Sequence, residues 1–378
     1  MAKKRKEKIR AEFRKNRGDR TRRSDWTQRY EEHGFAEEDP DQQERISGKG
    51  DLTRKRTVIG AEVVEDDAGL TIQLDVDESV CLVGRVLRVQ GLVSTVEVDE
   101  GVTYACATRR LLKTLSTDQR HVVAAGDRVL FRPSPGHEGI IERVEPRHGV
   151  LSRTSRGRRH ILVANVDQVM IIGSAAQPDL KPHLIDRLLI TAEKVGARPV
   201  ICINKIDLVD PASLQPMIGV WSQMGYQVLL LSAETGFGIE RLRRTLSGHE
   251  SVVTGQSGVG KSSLLNALEK DLSLRVRTVS AESSKGRHTT TTAELIPLSS
   301  GGYVVDTPGI RQFQLWDVTA EEIAGFFRDV RPYVNLCKFP DCTHRHEADC
   351  AVKDAVADGR LDVRRYESYC HLYEGDFA

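Results

Sequence analysis

The segment "NKIDL" occupies residues 204–208, and "GQSGVGKSS" follows only at residues 255–263. The second fits G-x-x-x-x-G-K-[ST], a loop whose glycines let the backbone curl so that its N–H groups point at phosphate oxygens beside a helix N-terminus. The first carries N-K-x-D, whose carboxylate can pair with the ring N–H and exocyclic amine of guanine. Adenine lacks that pair and would leave the carboxylate unsatisfied. In guanine-nucleotide sites of ordinary connectivity the phosphate loop comes first. A chain with the reverse order either matches one motif by accident or builds its site from rearranged parts.

The flanking residues decide between these. From about residue 160 short apolar runs ("VDQVMIIGSA", "PVICIN", "QVLLLSA") alternate with amphipathic stretches such as "LIDRLLITAEKVG". Continuous apolar strands alternating with helices indicate a parallel sheet covered on both faces, with ligand loops at the carboxyl ends of its strands. "NKID" and "SAETG" (residues 232–236) each follow such a strand directly, and "SVV" and "SSLLNALEK" supply a strand and a helix around the phosphate loop. Downstream, "YVVDTPG" ends a β-branched run in D-x-x-G, and the polar "KGRHTTTT" (residues 285–292) lies between, suited to a mobile switch.

The chemistry assigned to each position follows. Gly255, Gln256, Ser257, Gly258, Val259, Gly260 and Ser263 form the phosphate cradle, Lys261 reaches the β- and γ-phosphates, and the Ser262 hydroxyl ligates Mg²⁺. Asp306 orients the same ion through water, the Gly309 N–H meets the γ-phosphate, and Thr290 is one of four threonines that could complete the ion's shell. In the base loops Asn204 ties to the phosphate loop, Lys205 lies along the base, and Asp207, beyond Ile206, reads guanine. Ser232 and Ala233 present backbone to the guanine oxygen. Each match alone is weak; five in their expected local structures are no accident. Their order is a cyclic shift of the usual one, which a fold tolerates when its ends lie close together at the surface.

On "NVDQVMII", "NKIDL", "GQSGVGKSSLLNAL", "KGRHTTT", "VVDTPGIRQF" and the cysteine segment "CKFPDCTHRHEADC", the chain resembles the ribosome small-subunit-dependent GTPase A (RsgA/YjeQ) family over about residues 80–375. The resemblance implies GTP hydrolysis to GDP and phosphate, with the small (30S) ribosomal subunit and its 16S rRNA as partner and late subunit maturation as the process. A nucleotide-gated RNA-binding switch with little turnover, or a GTPase acting on another RNA, are the alternatives. Ras-type enzymes orient the attacking water with a glutamine directly after D-x-x-G. Here Ile310 stands there and cannot bond water, so a slow basal rate is expected, with the missing group coming from His288 of "GRHTT" or from the ribosome. His288 can equally be an ordinary loop residue.

Cys337, Cys342, His344 and Cys350 have the spacing C-x4-C-x-H-x5-C, enough for a closed Cys3His tetrahedral zinc site, although a redox pair or buried thiols would use the same residues. The resemblance implies zinc at these four, with His346 left as a surface histidine and Cys370 as packing. Cys81, Cys106 and Cys202 sit in apolar, strand-like runs, and the set fits a reducing compartment. Just upstream, Thr319 and Glu322 form a capping box, and Ile323, Phe326, Phe327 and Val330 fall on one helical face.

Residues 80–152 read differently. Short β-branched runs broken by Gly, Pro and Asp mark a small all-β barrel, of OB or SH3-like type, with RNA binding or a purely structural role both open. The net charge of +1 hides an asymmetry, since residues 1–25 carry 12 Lys and Arg against 4 Asp and Glu, leaving 43 against 50 elsewhere. Such an arm suits a polyphosphate, or is a solvated tail. No apolar run of about 18 residues is present, so no membrane span is expected. The expected architecture is therefore multidomain. A basic, mostly disordered extension (1–70) is followed by an OB-type β-barrel (71–152), a circularly permuted α/β phosphate-loop GTPase domain (153–312) and a helical zinc-binding domain (313–378). One zinc per chain, Mg²⁺ with GTP, a monomer and a cytoplasmic location complete the expectation.

Overall fold

The computed structural model describes residues 8–12, 55–59, 61–67, 69–74, 76–98, 101–109, 112, 122–155, 158–269, 293–306 and 318–375. The amino-terminal stretch departs from the expected disorder wherever it is described. β1 (Lys8–Glu12) pairs antiparallel with β2 (Lys55–Ile59), and β3 (Ala61–Asp66) pairs with β4 (Gly69–Leu74). Charge averaged over the stretch masks the alternating Val, Ile and Thr of "KRTVI", "AEVVED" and "GLTIQL", which suit a pleated strand. The tip of the second pair is anchored, with Asp66 accepting from the Arg147 N–H at 3.0 Å and Asp67 from the Gly149 N–H at 2.8 Å.

Five strands follow: β5 (Leu82–Gln90), β6 (Val93–Glu97), β7 (Thr103–Thr108), β8 (Arg128–Ser134) and β9 (Glu138–Val144). They run in the order β5-β6-β7-β9-β8, and β8 returns to β5, closing a barrel. One pair, β7–β9, is parallel and the others are antiparallel. That strand order is the OB-type one, which local sequence pattern could not separate from an SH3-like barrel. Val86, Val96, Cys106, Phe131 and Ile141 fill its interior. β10 (Leu151–Ser155) and β11 (Arg158–Val163) make a separate two-stranded ribbon.

The GTPase sheet comprises β12 (Gln168–Ser174), β13 (Arg198–Asn204), β14 (Gln227–Leu230), β15 (Glu250–Thr254), β16 (Glu294–Pro297) and β17 (Tyr303–Asp306). Its order is β14-β13-β12-β15-β17-β16, parallel except for the edge strand β16. Every residue of β12 is buried, as a strand covered on both faces requires. α1 (Pro182–Lys194) and α2 (Gln215–Gln223) cover one face through Leu188, Leu189 and Trp221. α3 (Ile239–Leu246) and α4 (Lys261–Leu268) cover the other through Leu242, Leu246 and Leu264. Because the central strands are parallel, the loops after β13, β14 and β15 and the end of β17 all emerge at one edge.

The carboxyl-terminal residues fold as α5 (Ala320–Phe326), α6 (Arg331–Val334), α7 (Ala351–Ala357) and α8 (Val363–Tyr373). The expected capping box of Thr319 and Glu322 is present. The helix it starts is shorter than the apolar spacing suggested: Phe327 is extended, and Val330 precedes a new helix that has Pro332 in its first turn. Both side chains remain fully buried, beside Ile190 of α1. Arg365 of α8 is also buried. It contacts Asp186 of α1 at 2.5 Å and Asp329 at 2.9 and 3.0 Å, with its guanidinium 4.4 Å above the Phe327 ring. Trp221 Nε1 donates to the same Asp186 oxygen at 3.2 Å. Among the described residues no helix is long and apolar enough to cross a membrane.

Candidate nucleotide site and metal cluster

The base and phosphate loops meet through Asn204, the last residue of β13. Its side-chain amide donates to the Val259 carbonyl at 2.9 Å, and its side-chain oxygen accepts from the Ala233 N–H at 3.2 Å. One buried amide thus joins "NKID", "SAETG" and the phosphate loop. The Ser232 hydroxyl accepts from the Thr235 N–H at 3.1 Å and rounds off the second base loop. Lys205 adopts a left-handed conformation, φ 62°, which throws its ammonium back over the site to the Gly258 carbonyl at 2.9 Å and to the Gln177 carbonyl. Ile206 is buried beneath the loop, while Asp207 is exposed at its mouth.

The phosphate loop needs glycine at two points in particular. Gly255 has φ 144° and lies so close to β12 that a Cβ would stand 2.1 Å from the Ile172 carbonyl oxygen. At Gly260, φ 91°, a Cβ would stand 2.4 Å from Asn204 Nδ2, so a side chain there would break the tie between the loops. Lys261 opens α4, and its ammonium lies 2.7 Å from both the Gly255 and Gln256 carbonyls, held over the loop's concave side. Ser257, Gly258, Ser262 and Ser263 are exposed around that hollow, and Val259 anchors the loop in the core. Asp306 ends β17, two strands from β12, at the same edge of the sheet. His288, Thr290, Gly309 and Ile310 lie outside the described residues.

One contributor has no motif. The turn after β12, "GSAAQP", places Gln177 against Lys205 and Pro178 against Gly258, and the Ala175 N–H donates to the Asn204 carbonyl at 2.8 Å. Its position at the carboxyl end of a central strand was the available signal.

The cysteine segment converges as its spacing suggested. The donor atoms of Cys337, Cys342, His344 and Cys350 lie within 4.8 Å of one another. Cys337 Sγ is 3.3 Å from His344 Nδ1 and 3.9 Å from Cys350 Sγ, and Cys350 Sγ is 3.6 Å from Nδ1. Tetrahedral bonds of ~2.3 Å to sulfur and ~2.0 Å to nitrogen would set sulfurs ~3.8 Å apart and sulfur and nitrogen ~3.5 Å apart. The donors therefore fit a metal ion, and the separation is far too long for a disulfide. Burial pushes the Cys342 thiol up to about 12, and the neighbouring Cys350 and Cys337 sulfurs add to the rise. Burial pushes His344 the other way, toward the neutral imidazole a metal needs. The knuckle is held from outside: Tyr366 donates to the His344 carbonyl at 2.8 Å, and Tyr369 to that of Thr343 at 2.9 Å. Glu347 braces it further. Burial opposes its ionisation, but bonds from Thr343 and the Arg345 N–H outweigh that and hold the carboxyl well below the usual range. His346 is exposed, and Cys370 packs among the helices.

A sequence profile of the RsgA GTPase family matches residues 144–316. The small ribosomal subunit biogenesis GTPase RsgA of Sodalis glossinidius is 41% identical over 298 residues, covering 77% of this chain and 85% of that protein. The protein of the same description from Chlorobaculum parvum is 39% identical over 305 residues, covering 78% and 97%. Among solved structures, YjeQ from Thermotoga maritima superposes with a TM-score of 0.64 at 35% identity, covering 78% of this chain and 98% of that one. YloQ, described as a circularly permuted GTPase, gives 0.62 at 28% identity over 78% and 94%. With its base and phosphate loops joined in reversed order through Asn204, and relatives of this identity along most of its length, the chain belongs to the RsgA family of circularly permuted GTPases.

Proposed function

We propose that this GTPase acts on the small (30S) ribosomal subunit during its late maturation, touching 16S rRNA, and that the subunit stimulates its hydrolysis of GTP. The observation that carries the nucleotide half is the Asn204 tie, which brings the guanine-reading and phosphate-holding loops into one hollow. The relatives' description as small ribosomal subunit biogenesis GTPases supports the partner. The OB-type barrel and the basic amino-terminal arm, both suited to RNA, point the same way.

In this reading Asp207 accepts from guanine, Lys205 lies along the base, and Ala233 offers its N–H to the guanine oxygen. The amides from Gly255 to Ser263 cradle the phosphates, and Lys261 leaves its carbonyl partners for the β- and γ-oxygens. The Ser262 hydroxyl would ligate Mg²⁺, Asp306 would orient it through water and Thr290 would complete the set, while Gly309 meets the γ-phosphate. Magnesium supplies charge neutralisation on the phosphates. Ile310 leaves the attacking water without an orienting group, a role assigned to His288 or to the ribosome. Cys337, Cys342, His344 and Cys350 hold one structural zinc. The protein works as a cytoplasmic monomer with its domains in the order expected from sequence, the first two limits moved off β4 (Gly69–Leu74) and β10 (Leu151–Ser155), which the expected limits would cut.

The test compares GTP turnover with and without purified small subunits. A low basal rate raised strongly by subunits is expected, and a fast rate indifferent to them would overturn the proposal. His288→Ala should keep GTP binding and lose the stimulation; full stimulation in that variant would move the water-orienting role to the ribosome.

A further inference from the structure

The barrel and the GTPase sheet are joined by two crossed register pairs. In the barrel, Arg85 of β5 stands opposite Glu97 of β6. In the sheet, Glu250 of β15 stands beside Tyr303 of β17. The Arg85 guanidinium bonds the Glu250 carboxyl and lies 4.8 Å over the Tyr303 ring, while the Tyr303 hydroxyl donates to Glu97 at 2.6 Å. A cleft of about 610 Å³ opens beside this quartet, lined by Arg85, Glu97, Arg128 and Tyr303 among others, so the interface is not sealed by packing there. Further links lie nearby: Arg88 bridges Glu294 with 3.7 Å between their charged groups, the Asn165 amide donates to the Gly126 carbonyl at 2.8 Å, and the Ala164 N–H donates to the Ala125 carbonyl at 3.0 Å.

The two sheet residues occupy telling positions. Glu250 begins the strand that runs into Gly255, and Tyr303 begins the strand that ends at Asp306. Glu250 is also locked to the entrance of β12: its N–H donates to Asp167 at 2.7 Å, and the Asp167 N–H donates to its carbonyl at 3.0 Å. Packed strands transmit displacement along their length because a close-packed interior has no slack. One guanidinium from the barrel therefore touches the roots of both strands whose tips carry phosphate chemistry.

We propose that Arg85 is a positioning residue for GTP hydrolysis, fixing through Glu250 and Tyr303 the relative placement of the phosphate loop and Asp306. The inference rests on the reading of those two elements as the hydrolytic site. It gives the barrel a part in the reaction besides any contact it makes with a partner. Nucleotide affinity is set mainly by loops tied through Asn204, whereas turnover needs the two strand tips in register, so the effect falls on kcat.

The experiment measures kcat, KM, GDP affinity and melting temperature for the full-length chain and for Arg85→Ala, Arg85→Lys and Tyr303→Phe. Arg85→Ala should lower kcat roughly 10- to 100-fold with GDP affinity held within about twofold, the size expected when a reacting geometry slips by a fraction of an ångström to an ångström. Arg85→Lys keeps the charge without the planar fork and should recover only part of the rate. Tyr303→Phe, which removes one hydroxyl and leaves the fold, should cost kcat roughly 2- to 10-fold. Unchanged kcat in Arg85→Ala and Tyr303→Phe, or a loss of kcat matched by equal losses of GDP affinity and melting temperature, would overturn the assignment. Lys261→Ala in parallel keeps the two readings apart: if that variant still turned over GTP, the site itself would be misassigned, whatever Arg85 does.

Discussion

Asn204 and Val259 are 55 residues apart in sequence, yet the Asn204 side-chain amide donates to the Val259 carbonyl at 2.9 Å, at a position 1% exposed to solvent. The bond closes the nucleotide site across the point where the chain order has been rearranged. Asn204→Ala leaves the Val259 carbonyl and the Ala233 N–H without that partner, so nucleotide binding should weaken by about 1–3 kcal/mol. Fluorescent GDP titration measures it, and undiminished affinity would remove Asn204 from the role of tie.

Base choice is tested at Asp207, the exposed carboxylate of the same loop. Asp207→Asn should weaken GTP binding and shift preference to xanthosine triphosphate, whose extra carbonyl an amide can face. Competition between the two nucleotides reads out the change, and equal GTP affinity in variant and wild type would sink the assignment.

The metal cluster makes a separable prediction. Freshly purified protein should hold about one zinc per chain by elemental analysis, since closed thiolate-rich sites contribute folding energy directly. Cys350→Ser should lower that content and speed amide exchange after residue 318, while GDP binding stays near wild type, because the cluster packs with the carboxyl-terminal helices and not with the nucleotide loops. Stoichiometric zinc in the variant would point to another ligand set.

These three sites were legible because each is written in a short run of sequence. N-K-x-D, the phosphate loop and the four metal donors carry their own chemistry within a handful of residues, and the apolar runs around them announce parallel strands. What escaped is non-local. The parallel β7–β9 pairing that makes the barrel OB-type joins strands separated by β8, and no local periodicity encodes it. Gln177 enters the nucleotide site only because β12 delivers it beside Lys205. Arg365 carries no local mark of its burial, which comes from Asp186 of α1 and from Asp329, both distant in sequence. The strands of residues 8–74 were hidden by a composition averaged over their charged surroundings.

Arg365 gives a stability prediction. Replacing it with methionine strands Asp186 and Asp329 beside an apolar side chain, and removing one partner of a buried pair costs about 3–5 kcal/mol. Arg365→Met should therefore melt well below wild type. Adding Asp186→Asn should recover part of the loss, since the amide needs no counter-charge; calorimetry on the single and double variants measures both. Additive losses would show that the pair is not coupled.

Glu250 gives a pH dependence. Burial pushes its carboxyl up to about 8 from an ordinary value of 4.5, against the pull of Arg85, with Asp167 and Asp127 adding to the rise and Arg128 opposing it. A group raised in the folded state binds its proton more tightly there than in the unfolded chain. Its contribution is therefore fully present below about pH 4.5 and is lost as the pH climbs to about 8. Glu250→Gln cannot titrate, so its unfolding free energy should fall less steeply than that of wild type between those limits. Parallel slopes in urea titrations across the window would refute it.

The rearranged order also governs when the site can exist. Synthesis runs from the amino terminus, so β12, β13 and β14, with both base-reading loops, are joined to the chain before any residue of the phosphate loop. Until then β12 lacks its neighbour β15 along one whole edge, and the Asn204 amide lacks Val259. A nascent chain can thus shape the half of the pocket that recognises guanine while having nothing with which to grip phosphate. Competence for nucleotide arrives late and in two steps, as β15 slots in beside β12 and then β17, the last strand among the described residues, lays Asp306 beside a loop already closed.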